Sequence, residues 1–120
     1  MDVNGYLKAE YDRWFDLFHK WDPENRFFIA PRAKCADGFE LSVQASAFHY
    51  CAPKENGAFP YRSVEVGYPS EKEEDLMDYI EMDYLEEKPV SRPTNSVYPF
   101  VPVETVDRVL AKHGWIVGRA

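Results

Sequence analysis

The sequence has few cysteines, no long apolar run and no clustered glycines, and each absence excludes a class of protein. Its two cysteines, Cys35 and Cys51, do not make the disulfide framework of a small secreted domain. An extended segment from Phe39 to Tyr50 would hold them far beyond the ~7 Å between Cα atoms that a disulfide allows. We therefore expect both thiols to be reduced and buried.

No apolar run approaches the ~20 residues of a membrane span. The polar N-terminus has no signal-peptide apolar region. Together these features indicate a cytoplasmic protein.

Recognisable catalytic and cofactor-binding motifs are also missing. The six glycines form neither a dinucleotide-binding fingerprint nor a phosphate loop. Strand periodicity places Ser46 and His49 on opposite faces, and it places Cys51 beside His49 on a face predicted to be core. The possible zinc ligands lack the usual paired spacing; they are Cys35, His49, Cys51 and His113. We predict that the protein is not an enzyme and binds no cofactor or metal. A small metal-binding or catalytic domain built on His49 and Cys51 is the alternative.

What the sequence does contain suits one folded domain spanning residues 1–120. Hydrophobic residues make up 45% of the chain and aromatic residues 16%, which is enough for a core at this length. No repeat, low-complexity stretch or linker divides the chain.

Two of the three predicted helices lie at the ends of the chain. Residues Asn4–Trp21 predict an amphipathic helix with Asn4 as its N-cap. Its apolar face carries Leu7, Tyr11, Trp14, Phe15, Phe18 and Trp21. Pro102 opens a C-terminal helix that ends near Gly114. The core-facing residues of that helix are Val103, Val106, Val109 and Leu110.

Four segments predict strands around a central hairpin. Arg26–Ala30 is a short apolar run, and Phe39–Ala45 alternates apolar and polar residues, which is typical of a half-buried strand. Asn56 and Gly57 centre a loop that leads into Tyr61–Tyr68. The inward face of this return strand carries Val64, Val66 and Tyr68. Ser96–Val101 contains Pro99, which restricts it to a sheet edge. The pattern predicts an α+β fold: a small, mostly antiparallel sheet of three or four strands packed by N-terminal, middle and C-terminal helices.

The middle helix is predicted over Glu71–Tyr84, with Ser70 and Glu73 as a capping box, and it carries the charge of the protein. The formal net charge is −7, but the segment 71–87 alone carries −8 and the rest of the chain +1. The acids that we predict to bind a partner are Glu71, Glu73, Glu74, Asp75, Asp78, Glu81, Asp83, Glu86 and Glu87. Carboxylates at three- and four-residue spacing can imitate a run of phosphates. A basic host protein or ribonucleoprotein complex is therefore the expected partner, and nucleic acid itself is not. The alternative is a solvated face that aids solubility.

An aromatic cluster around the hairpin offers a second possible contact surface. Phe48 and Tyr50 fall on the outward phase of the strand, and Phe59 and Tyr61 lie nearby in sequence. Aromatic residues are enriched at interfaces. A covering helix or a bulge that changes the phase would bury them instead.

Several segments resemble a group of short, uncharacterised bacteriophage and prophage proteins. They are Ala36–Ser46, His49–Cys51, Val64–Ser70 and Val97–Val103, and the resemblance covers roughly Phe28–Gly114. It brings no activity and no site residues. It implies a small acidic phage protein that disables host machinery, as anti-CRISPR proteins do. The leading hypothesis is thus a non-catalytic inhibitor acting as a DNA mimic, and a homo-oligomeric phage structural or assembly protein is a further alternative.

Overall fold

A five-stranded antiparallel sheet organises the chain in the computed structural model, which describes residues 1–81 and 92–120. The strands follow the spatial order β4-β3-β2-β1-β5. Their bounds are Ala33–Cys35 (β1), Glu40–Gln44 (β2), Ser63–Gly67 (β3), Val97–Pro102 (β4) and Ile116–Arg119 (β5). The helices are α1 (Val3–Trp14) with a π-helical continuation (Phe15–His19), a 3-10 helix (Glu74–Tyr79) and α2 (Val103–Lys112). The α+β class is confirmed, with one strand more than expected. Within the described residues no helix combines the length and apolar character that a membrane crossing needs.

The core lies between one face of the sheet and the two α-helices. The alternation predicted in β2 and β3 is confirmed, because Leu41, Val43, Val64 and Val66 are fully buried. From the helices the core receives Val3, Leu7, Trp14, Val106, Val109 and Leu110. The predicted burial is therefore confirmed for Leu7 and Trp14 in α1, and in α2 for Val106, Val109 and Leu110.

Sequence analysis missed two strands, β1, which begins three residues after the predicted strand Arg26–Ala30, and β5, which follows α2. Gly114, with φ +83°, ends α2 as expected, and the Trp115 N–H returns to the Leu110 carbonyl at 2.7 Å. The next residues pair with β1. Strand β5 has four residues and little buried surface, so it has no alternating pattern to detect.

The first helix differs from its prediction at both ends. Asp2, not Asn4, is the N-cap, since the Gly5 N–H donates to Asp2 Oδ1 at 2.7 Å. Asn4 instead exchanges two hydrogen bonds with the backbone of Tyr61. The α-helix ends at Trp14, and the apolar residues beyond it are exposed rather than in the core: Phe15, Phe18 and Trp21.

The predicted strand Arg26–Ala30 is wrong. This segment is not a strand, and at its last residue a side chain, that of Gln44, bonds to the backbone where a neighbouring strand would. Gln44 Oε1 accepts from the Ala30 N–H and its Nε2 donates to the Ala30 carbonyl, both at 2.8 Å.

The inward position predicted for Tyr68 is also wrong. Strand β3 ends at Gly67, and Tyr68 is exposed with φ +51°. The edge position of the Pro99 strand, β4, is confirmed.

Candidate protein-binding surfaces

The acidic stretch between β3 and β4 exposes five carboxylates among the described residues. They are Glu71, Glu74, Asp75, Asp78 and Glu81, and they are called the acidic surface below. Four predicted residues lie outside the described part of the chain: Asp83, Tyr84, Glu86 and Glu87. Glu73 does not belong to the surface, because its side chain is buried.

The predicted α-helix over Glu71–Tyr84 is wrong in its described part. Glu74–Tyr79 form a 3-10 helix, and Ser70 does not cap it, because Ser70 Oγ accepts from the Glu40 N–H at 2.9 Å. In a 3-10 helix the side chains align every three residues. Asp75 and Asp78 therefore lie on one edge of the helix, whereas Glu71 and Glu81 lie outside it, so the predicted α-helical ridge along all five carboxylates does not form.

Two members of the acidic surface are ion-paired. Glu74 lies 3.2 Å from Lys72 Nζ, and Asp75 lies 3.3 Å from Lys112 Nζ. Both pairs are largely exposed, so each contributes little to stability. The other three carboxylates have no ion pair with a described residue: Glu71, Asp78 and Glu81.

Beneath the acidic surface lies a group that we call the His113 cluster, formed by Asp37, Glu73, Lys112 and His113. The two ring nitrogens of His113 both face carboxylates, with Nδ1 2.6 Å from Asp37 Oδ2 and Nε2 3.1 Å from Glu73 Oε1. Lys112 Nζ donates to Glu73 Oε2 at 2.7 Å, and the Phe39 ring stacks on the imidazole at 3.9 Å. Since an ionised carboxylate only accepts, the ring donates to both partners only when doubly protonated. No ring nitrogen is left to act on a substrate.

Two pKa values in the cluster favour its charged form. The Phe39 N–H, and then the His113 side chain, donate to the Asp37 carboxylate and lower its pKa. The hydrogen bond to Glu73 raises the pKa of Lys112. Opposite charges thus stabilise one another where the acidic segment meets α2.

The acidic surface is also held by packing and backbone contacts. Leu76 is fully buried under it, and the Glu81 N–H donates to the Val97 carbonyl at 2.9 Å. Ser70 exchanges hydrogen bonds with Glu40, the first residue of β2. The carboxylates are therefore presented from a packed scaffold.

A second unusual surface is apolar, and of its residues sequence analysis predicted only Phe48 to be exposed. Seven large side chains are exposed on or near the π-helix, and we call them the apolar surface: Phe15, Leu17, Phe18, Trp21, Phe27, Ile29 and Phe48. Phe27 and Phe48 stack with ring centroids 4.5 Å apart. The helical period in residues 4–21 hid this surface, because a regular apolar stripe predicts burial along its whole length.

Two clefts open on the apolar surface, and Trp14 contributes to the lining of both. One, of about 290 Å³, lies among Leu17, Phe18 and Ile29. The other, of about 360 Å³, is called the Phe48 cleft. Its lining includes Tyr11, Trp14, His19, Ala47 and Phe48. Such volumes fall near the lower end of ordinary ligand pockets, so a large side chain would fit.

The aromatic surface predicted at the hairpin is only partly present. Phe48 and Tyr50 are exposed as predicted, whereas Tyr61 is buried. The Tyr61 hydroxyl donates to the Glu55 carbonyl and accepts from the Ala58 N–H at 3.2 Å. Tyr61 is therefore a core residue that closes the loop.

Ser46 and His49 are brought together, contrary to the prediction of opposite strand faces. Since β2 ends at Gln44, the chain turns and Ser46 Oγ lies 2.5 Å from His49 Nδ1. Ser46 is completely buried, however, and its Oγ also accepts from the Phe48 N–H. A buried hydroxyl used in a turn has no access to a substrate, so this pair does not form a nucleophilic site.

The two cysteines are free and buried, as predicted. Burial, and then the charge of Asp37, raise the pKa of Cys35 to about 11, and burial raises that of Cys51. Cys51 Sγ donates to the Ser46 carbonyl at 3.2 Å. Within residues 1–81 and 92–120 no group of His, Cys, Asp and Glu side chains has the arrangement of a metal site.

The comparisons with known proteins add nothing to this geometry: no family model, no curated protein and no solved structure matches the chain. The resemblance to phage proteins stays a prediction.

Proposed function

We propose that this chain is a non-catalytic binding protein that presents its acidic surface to a basic surface of a partner protein. The observation that supports this best is the placement of five exposed carboxylates on a packed scaffold at one end of the sheet. Concentrated charge of one sign steers a partner of the opposite sign and speeds its association. The two free, buried thiols fit a reducing compartment such as the cytoplasm.

The partner class that fits this charge is a nucleic-acid-handling protein or ribonucleoprotein complex. Such proteins carry clustered Lys and Arg for phosphates, and a carboxylate surface seated there would compete with nucleic acid. The proposed activity is therefore inhibition, of the anti-CRISPR kind if the chain comes from a phage.

A charge reversal tests the proposal and leaves the His113 cluster intact. Changing Glu71, Asp78 and Glu81 to Lys alters carboxylates that have no described ion pair. Affinity for a partner captured from bacterial lysate should fall by about tenfold or more, because several close charge pairs would be lost. The wild-type complex should also weaken as salt rises. Surface plasmon resonance at two ionic strengths would measure both effects.

A matched control separates the acidic surface from net charge in general. Changing Asp12 and Glu104 to Lys adds the same charge as changing Glu71 and Asp78 alone, at exposed positions outside both the acidic surface and the apolar surface, so these two double variants are compared with wild type. The control variant should bind more like wild type than the acidic-surface variant does. Equal binding by all three proteins would mean that the acidic surface is only a solvated face.

A further inference from the structure

The apolar surface is too large to be explained as scattered exposed residues. Taking roughly 150–250 Å² for a whole aromatic side chain, its seven exposed fractions amount to on the order of 800 Å². Apolar patches on monomers seldom exceed a few hundred Å². An interface of standard size buries about 800 Å² on each partner, so the apolar surface has the area that a stable dimer needs.

The apolar surface has both a projecting side chain and an open cleft. Trp21 projects from it with 80% of its surface exposed, while the Phe48 cleft beside the π-helix is about 360 Å³. An interface between identical subunits related by a two-fold axis uses one patch on both, so a projection and a matching cleft must occur on the same face. Both features are present here.

The charges around the apolar surface also favour a second copy of the chain. Its rim carries both signs, with Arg13, Lys20 and Arg26 alongside Asp16 and Glu24. None of these side chains has an ion pair with another described residue. A rim of mixed sign can meet an inverted copy of itself without net repulsion.

The main negative charge does not oppose this pairing. Ser70, which precedes the acidic surface in sequence, accepts a hydrogen bond from Glu40 at the start of β2. Ala30, next to Ile29 of the apolar surface, donates a hydrogen bond to Gln44 at the end of β2. Those positions are about 13 Å apart along the strand. Copies that meet through their apolar ends keep their acidic surfaces apart.

We propose that two copies of this chain pair through the apolar surface about a two-fold axis, with Trp21 of each seated in the Phe48 cleft of the other. The dimer would carry two acidic surfaces at its distal ends. This inference does not rest on the proposed function, because the acidic surface takes no part in the pairing.

Sedimentation equilibrium over micromolar to near-millimolar concentrations tests the pairing. The wild type should approach twice the 14.0 kDa mass of the chain. Trp21→Ala should raise the dimer dissociation constant roughly 100-fold or more, because a buried interface Trp is a typical hot spot and each dimer has two. Tyr50→Ala is the control, since it removes an aromatic ring that is also exposed, at 47% against 80% for Trp21, but lies outside the cleft, and it should leave the mass unchanged.

Mixing two variants distinguishes a second copy from any other occupant. Ala47→Arg fills the cleft but keeps Trp21, whereas Trp21→Ala keeps the cleft. Each should be monomeric alone, and their mixture should form a heterodimer through its one intact contact, weaker than the wild-type dimer. The reversal of Glu71, Asp78 and Glu81 should leave the mass unchanged, which separates this test from that of the proposed function.

Three results would overturn the pairing. One is a wild-type chain that stays at 14.0 kDa throughout. A second is a dimer that Trp21→Ala does not weaken, and the third is a mixture of the two variants that stays monomeric. A monomeric wild type that loses a captured partner on Trp21→Ala would assign the apolar surface to that partner instead.

Discussion

The two ends of the sheet differ in how their unusual residues are supported. At the acidic end the charged side chains stand in solvent, and the residues beneath them are buried: Leu76 packs in the core, and Glu73 joins the His113 cluster. At the apolar end Trp14 is buried but the large side chains that follow it are exposed. Carboxylates are fully hydrated in water, whereas exposed rings forgo the free energy that burial would release. The acidic end therefore gains nothing from being covered, and the apolar end gains from the proposed pairing.

This difference predicts that the same substitution destabilises the fold far more at the acidic end than at the apolar end. Leu76→Ala should lower the free energy of unfolding by ~2–5 kcal/mol, because it leaves a cavity under the acidic surface. Leu17→Ala, which removes the same atoms from an exposed position, should change it by no more than about 0.5 kcal/mol. Urea denaturation of both variants, at a concentration where the chain is monomeric, would measure the two effects. Similar costs for both would mean that the apolar end is packed within the monomer.

The parts of the fold that could be predicted from sequence are those in which local pattern and burial coincide. Leu41 and Val43 alternate with polar neighbours, and Pro102 and Gly114 mark the ends of α2, so both elements were found. Errors arose where a contact distant in sequence replaced the local rule. Ser70 has the sequence of an N-cap but bonds to Glu40 thirty residues away.

The acidic surface could be predicted from the sequence and the apolar surface could not, for a related reason. Charge is additive along a sequence, so the acidic segment is evident from the residue types alone. Exposure of an apolar residue depends on whether another element reaches it. Nothing local distinguishes Leu7, which is fully buried, from Phe18, which is 54% exposed. The burial of Glu73 was missed in the same way, since Lys112 and His113 are about forty residues distant.

A second comparison, between neighbouring glutamates, sharpens the distinction between charge that supports the fold and charge available for binding. Glu73→Gln should cost ~1–3 kcal/mol of stability, because a buried group loses charge-assisted hydrogen bonds to Lys112 and His113. Glu74→Gln affects only an exposed ion pair with Lys72 and should cost about 0.5 kcal/mol or less. Thermal denaturation at neutral pH would compare the two variants. If Glu74→Gln proved the more costly, the His113 cluster would not be what holds the acidic segment to α2.

The smallest effect expected is a pH dependence that distinguishes Asp37 from the exposed carboxylates. Hydrogen bonds from the Phe39 N–H and from His113 lower the pKa of Asp37 below its ordinary value of 3.8. A carboxyl group whose pKa is lower in the folded state stabilises the fold above the unfolded value and loses that contribution as the pH falls through the folded value. Asp37→Asn should therefore be less stable than wild type at pH 7, and the difference should shrink as the pH drops below about 3.8. Because Asp37 is exposed to solvent, we expect the difference to be small.

The control is Asp78→Asn, which changes an exposed carboxylate outside the cluster. Its free energy of unfolding should follow that of the wild type through the acid range. Urea denaturation at a series of pH values would follow all three proteins. A constant gap between wild type and Asp37→Asn down to low pH would mean that the contacts of Asp37, and not its charge, stabilise the turn before β2.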